Sequence, residues 1–117
     1  MKDAINNIGR AGMLVAALCK GNEKFLRNVF EDALHQPYRA KLIPGMYDVF
    51  SAAKKAGALG ASLSGAGPCL IAYCLQRRHV EDAVGQAMQE AFARHGVKAN
   101  ILSLELDTRG AHILNDK

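Results

Sequence analysis

The sequence has no tryptophan, three prolines, three cysteines and only 6% aromatic residues. With few aromatics and with Lys and Arg scattered along the chain, it offers no base-stacking surface, and no nucleic-acid partner is expected. No apolar run approaches the ~18 residues a membrane-crossing helix needs, and no secretory leader opens the chain. Neither a membrane partner nor export is therefore expected. Cys19, Cys69 and Cys74 are odd in number, widely spaced and set in apolar runs. That pattern argues against a disulfide framework and predicts reduced core thiols in a cytoplasmic protein. No Cys/His cluster has ligand spacing, so no metal site is expected within the chain.

What is present suits a packed domain. Half of the 117 residues are hydrophobic and 22% are charged, a globular balance in a chain long enough for a core of its own. One domain over residues 1–117 is expected, without linker or repeat. The net charge of +4 is mild. It fits a solvated basic surface, and equally an anionic small substrate.

Hydrophobic spacing sets the expected elements. Ile5, Ile8, Met13, Leu14, Ala17 and Leu18 predict a helix over 4–20 with a broad buried face, ended by Gly21-Asn22. A second helix over 23–34 carries Phe25, Leu26, Val29, Phe30, Ala33 and Leu34, and Pro37 should stop it. Residues 36–43 read as a connector. Pro44 opens a third helix, 44–56. Strands are expected over 59–64 and 69–75, a helix over 79–95, and a last strand over 97–106. The apolar phase of that strand changes between Ile101 and Leu102, which predicts a bulge. The order is that of an α+β sandwich, βαββαβ, whose first strand is missing. The gap lies between the third and fourth strands of a ferredoxin-like sheet. Unpaired ladder groups are costly, so self-association is expected.

Three features carry chemistry. Gly60-Ala-Ser-Leu-Ser-Gly-Ala-Gly-Pro68 is built almost wholly from small residues, which lets backbone N–H groups approach a ligand. It has neither the Walker pattern nor the dinucleotide fingerprint, and on spacing alone the signal is weak and a plain hairpin turn is the favoured explanation. Arg10 sits among small and apolar residues, and Arg39 follows Pro37-Tyr38. Two guanidiniums suit a carboxylate or phosphate through bidentate hydrogen bonds, although each alone could be a salt-bridge partner or a solvated tip. His35, His79, His95 and His112 fit capping or surface roles.

Taken in order, Asn7-Ile-Gly-Arg-Ala-Gly-Met-Leu-Val-Ala-Ala-Leu18, His35-Gln-Pro-Tyr-Arg-Ala-Lys-Leu-Ile-Pro-Gly45 and Gly60–Pro68 resemble the C-terminal half of the homoserine kinases, in the GHMP small-molecule kinase superfamily. The ending Leu106-Asp-Thr-Arg-Gly-Ala-His112 is similar as well, so the resemblance covers essentially the whole chain. It implies a ferredoxin-like C-terminal domain with helices packed on an antiparallel sheet that lacks its first strand. It also implies transfer of the γ-phosphoryl of ATP to the hydroxyl of L-homoserine, a step toward threonine. By resemblance, Arg10 and Arg39 would grip the substrate α-carboxylate with Asn7 nearby. Ser64, Gly65, Ala66 and Gly67 would close on substrate and phosphates. Cys69 stands where Ser or Thr is common, so no hydroxyl role is expected there.

Nothing here matches the family's ATP-cradling loop, P-x-x-x-G-L-G-S-S-A. The contacts to ATP and Mg²⁺ are accordingly expected in an N-terminal kinase domain outside this sequence, with no catalytic residue inside it. The isolated chain is expected to be inactive. The alternative is an ACT-like amino-acid-sensing module, but such modules open on a strand, whereas about 57 residues of helical pattern come first here.

Overall fold

The computed structural model describes residues 1–114. The chain folds as α1 (Lys2–Lys20), α2 (Glu23–Leu26), α3 (Gln36–Arg39), α4 (Met46–Lys55), β1 (Gly60–Leu63), β2 (Leu70–Tyr73) and α5 (Glu81–Arg94). Short 3₁₀ turns occupy Ala40–Leu42 and Gln76–Arg78. β1 and β2 form an antiparallel pair with Gly60 opposite Tyr73 and Leu63 opposite Leu70. Helices against an antiparallel pair make this an α+β fold, as expected.

The core lies between α4, α5 and β1. Met46, Val49, Phe50 and Ala53 recur at helical spacing on α4 and face Val84, Ala91 and Phe92 of α5, with Ile43, Ala58 and Ala61 closing the ends. Each large buried side chain in this set contributes about 1.5–3 kcal/mol through removal from water. Glu81 and Asp82 in the first turn of α5 and Arg94 in its last complement the helix dipole. A smaller cluster of Ala17, Leu26, Val29 and Leu59 ties the end of α1 to the strand entry.

Four expectations need correction. α1 runs as predicted and ends on left-handed Gly21. Its predicted buried face, however, is mostly uncovered: Ala17 is buried, while Ile5, Ile8, Met13 and Leu18 are 43–72% exposed. Over its first three turns α1 meets the 28–33 segment through Asn7 and Arg10 and not through this apolar face. The second helix stops at Leu26, well short of residue 34. The carbonyls of Asn28 and Phe30, which a longer helix would use, accept instead from the Arg10 guanidinium and the Gln36 amide. The Ala33 N–H likewise donates to the Asn7 side chain. Side chains have replaced the i to i−4 partners, so the helix cannot continue. Pro37 lies at the start of α3 and does not end α2, as suits a residue without an N–H.

The third correction concerns residues 97–106, which form no strand. Val97 and Ala99 pack onto the main core, Gln89 donates to the Ala99 carbonyl at 2.7 Å, and Ile101 lies over Gly85 of α5. Beyond it Leu102, Leu104 and Leu106 are 79–91% exposed. The phase change at 101–102 therefore marks where the segment leaves α5, not a bulge. A strand needs an edge to pair with, and the two described strands pair only with each other. Finally, the three thiols are free but not core residues: Cys19 and Cys69 are exposed and Cys74 is half-buried. Burial and the Glu81 charge push the Cys74 thiol up.

Candidate functional site

The glycine stretch forms a tight reversal between β1 and β2. Ser64 N–H donates to the Cys69 carbonyl at 2.9 Å, and Gly67 N–H donates to the Ser64 carbonyl at 3.1 Å. Gly65 and Gly67 take φ of 56° and 85°, and the Gly67–Pro68 peptide is cis. At Gly67 a Cβ would lie 3.0 Å from Leu63 Cδ1 and 3.2 Å from Ile43 Cδ1, so both conformation and space call for glycine. Ser64, Gly65 and Ala66 are exposed, and the N–H groups of Gly65 and Ala66 take no part in the turn's hydrogen bonds. Gly60, at the other end of the stretch, is buried under the Phe30 ring, which stacks on Tyr73 at a centroid distance of 4.2 Å. The small-residue stretch thus does two jobs, with Gly60 admitting an aromatic and Gly65–Gly67 making the turn.

The two arginines sit on separate elements. Arg10 on α1 donates from Nη1 to the Asn28 carbonyl at 2.6 Å and pairs through Nη2 with Glu31 at 2.7 Å. Its Nε is buried with no partner. Arg10 lines a cleft of about 420 Å³ between α1 and the 28–31 segment. Arg39 on α3 donates from Nε to His35 Nε2 at 3.3 Å. Asn7, one turn before Arg10, faces the same 28–33 segment: its Nδ2 donates to Asp32 and its Oδ1 accepts from Ala33 N–H at 3.0 Å. Neither Arg39 nor residues 64–67 line the Arg10 cleft. The structure therefore brings Asn7 and Arg10 together and leaves Arg39 and the loop apart from them.

Two residues that sequence reasoning passed over connect these parts. The Asp32 carboxylate accepts from the Asn7 amide and from the backbone N–H groups of Leu34, His35 and Gln36. Burial pushes this carboxyl up, but the donors at Gln36, Asn7, Leu34 and His35 outweigh it and bring the pKa down to about 2. Gln36, only 7% exposed, is the buried polar residue of the core. Its Oε1 accepts from Leu63 N–H at 3.0 Å and its Nε2 donates to the Phe30 carbonyl at 3.3 Å. An aspartate that accepts from the N–H groups two to four residues on makes an Asx-type turn, a signal that the helical spacing of residues 23–34 masked here.

A second cleft of about 390 Å³ lies beside this network, with Asp32, Gln36, Tyr47, Lys54 and Gly60 in its wall. For Mg²⁺, the two carboxylates that line these clefts, Glu31 and Asp32, are a poor fit. Glu23 is held by Arg77 and Arg78, Glu31 by Arg10, Asp32 by four donors and Asp48 by His95. Among the described residues no three His, Cys, Asp or Glu side chains gather where they could hold a metal ion. No described helix is long and apolar enough to cross a membrane.

Comparison with known proteins places this arrangement. Residues 4–94 match the protein-family model described as "GHMP kinases C terminal". The chain is 46% identical over 114 residues to the homoserine kinase of Moorella thermoacetica, covering 97% of this chain and 38% of that protein. It is 45% identical over 108 residues to the homoserine kinase of Carboxydothermus hydrogenoformans, covering 92% of this chain and 34% of that protein. The crystal structure of homoserine kinase from Cytophaga hutchinsonii resembles it with a TM-score of 0.73 at 37% identity, over 80% of this chain and 30% of that one. The chain thus spans 34–38% of the length of these two curated relatives. The amino-acid-sensing alternative has no support from these matches. From α1 through α5, this chain belongs to the GHMP kinase C-terminal family.

Proposed function

We propose that this chain is the substrate-gripping C-terminal part of an ATP-dependent homoserine kinase and is inactive by itself. The observation that carries this reading is the 45–46% identity to two homoserine kinases over 92–97% of the chain. The geometry gives it chemical content. Arg10 keeps one guanidinium nitrogen buried and unpartnered, and its ion-pair partner Glu31 is 72% exposed and free to yield to another carboxylate. A substrate α-carboxylate entering the Arg10 cleft would displace Glu31 and pair with the guanidinium, while Asn7 one turn away holds the 32–33 segment against α1. Arg39 and the loop lie outside that cleft in this chain; in the whole enzyme Arg39 would have to reach the substrate from α3, and the loop could offer it or a phosphate the N–H groups of Gly65 and Ala66, which the turn leaves unused. Phosphoryl transfer depends mostly on positioning and charge stabilisation, which is the part such residues can supply. We place the Mg²⁺ and most nucleotide contacts outside this chain, since the two carboxylates that line its clefts, Glu31 and Asp32, are already engaged and no three metal-binding side chains gather among the described residues. The three free thiols fit a cytoplasmic enzyme.

The test uses the purified chain alone and joined behind the N-terminal portion of the Moorella enzyme. With MgATP and L-homoserine, the chain alone should release no ADP and the joined protein should. In the joined protein, Arg10→Lys keeps the charge but loses the fork, and should raise the homoserine KM by about 10- to 100-fold. ADP release by the chain alone would sink the claim of inactivity, and an unchanged KM would remove Arg10 from the site.

A further inference from the structure

The three sequence blocks that carry the candidate site lie on different elements, yet one buried residue belongs to the second, bonds the third through its side chain and is linked to the first through Asp32. Gln36 belongs to the His35–Gly45 block, and its backbone N–H is held by the Asp32 carboxylate, which also holds Asn7 of the first block. Its side-chain oxygen takes Leu63 N–H at 3.0 Å, one residue before the glycine loop begins. Its amide nitrogen takes the Phe30 carbonyl at 3.3 Å, and Phe30 covers Gly60 at the start of the same stretch. A side chain only 7% exposed that uses both ends of its amide in this way has no freedom left.

We propose that Gln36 is a positioning residue: through Leu63 it sets the glycine loop relative to the Asn7–Arg10 turn of α1. Removing its amide would release the loop without removing any group that touches a ligand. Because Leu63 N–H donates to Gln36, the order of the loop's first residues depends on this contact as well as on the β1–β2 ladder. The claim about substrate rests on the function proposed above; the claim about the loop does not.

The experiment is amide hydrogen exchange, read by NMR on the 117-residue chain with Gln36, Gln36→Met and Gln36→Glu. Methionine matches the shape and makes neither bond, whereas glutamate in its protonated form, measured at pH below about 5, keeps the acceptor for Leu63 and an O–H donor for the Phe30 carbonyl. Exchange at Leu63 should rise by about 10-fold or more in Gln36→Met and stay within about 3-fold of the parent in Gln36→Glu. The Ser64–Gly67 amide shifts should move only in the methionine variant, and Val49 in the core should exchange as before in both. Unchanged Leu63 exchange in Gln36→Met would overturn the proposal, as would an equal acceleration at Val49, which would mean general loosening. Added L-homoserine separates the two claims. Weakening of its binding by about 10-fold in Gln36→Met, with recovery in Gln36→Glu, supports the role in the site. A parent chain whose Asn7–Arg10 resonances ignore L-homoserine would count against the substrate reading, while the exchange data still decide the positioning.

Discussion

Replacing Asp32 with Asn removes one charge and little volume, and its consequences follow from the hydrogen bonds. In the parent chain Oδ1 accepts from Asn7 and from Leu34 N–H at 3.0 Å, and Oδ2 accepts from Gln36 and from His35 N–H at 2.8 Å. An asparagine offers one acceptor oxygen, so in either orientation its NH₂ faces two N–H donors. Hydrogen bonds to a charged group are worth about 1.5–3 kcal/mol each, and two are lost here, partly compensated by water at the exposed Leu34 and His35 amides. A net loss of about 2–3 kcal/mol is expected, or about 8–12 °C in Tm for a chain of this size.

The pH dependence gives an independent check. The folded-state pKa of about 2 lies below the ordinary value of 3.8, so the unfolded chain binds the proton more tightly. Asp32 therefore contributes stability above pH ~4 that is lost as the pH falls toward 2. Allowing for solvent screening, it amounts to about 1–2 kcal/mol. Circular dichroism melts at pH 7 and at steps down to pH 2.5 measure both effects. The Asn variant should melt lower at pH 7 and lose less between pH 4 and 2.5 than the parent. Equal melting temperatures at pH 7, or parallel pH profiles, would refute the account of Asp32 as the carboxylate that shapes the 32–36 turn.

Other outcomes follow from the same geometry. Gly67→Ala combines a left-handed φ with contacts at 3.0 and 3.2 Å, whereas Gly65→Ala shares only the left-handed φ and meets nothing within 4 Å. Urea unfolding should show a cost of about 1 kcal/mol for Gly65→Ala and a clearly larger one for Gly67→Ala; equal costs would mean that the Leu63 and Ile43 contacts do not matter. Truncating Phe30 to Ala removes the ring over Gly60 and its stack on Tyr73, and should cost about 2–3 kcal/mol in the same assay. We also propose that the exposed leucines of 102–106 drive self-association. Sedimentation at micromolar concentration should then show species above monomer mass, reduced by Leu102→Lys with Leu104→Lys; a monomer in the parent chain would end that proposal.

Much of the chain was legible without coordinates, because the signals are local. The left-handed end of α1 at Gly21, the Asn22 cap that follows it, the core stripe of α4 and the run of α5 all depend on neighbours within one or two turns. The turn at Gly65–Gly67 follows from backbone conformations that few other residues adopt. The resemblance to homoserine kinases was also written in contiguous motifs, and the family match bears it out. The site was only partly legible. Asn7 and Arg10 stand together, but Asp32 and Gln36, which organise the surroundings, lay hidden under a convincing helical spacing. Tertiary structure decided what periodicity could not express. It ended α2 by giving the Asn28 and Phe30 carbonyls to side chains from α1 and α3. It left the apolar face of α1 uncovered and laid residues 97–101 along α5 instead of in a sheet. Periodicity states which residues could be buried and paired. The backbone groups of residues 28–36 and 97–106 take their partners from whatever folds beside them, and those partners are distant in sequence.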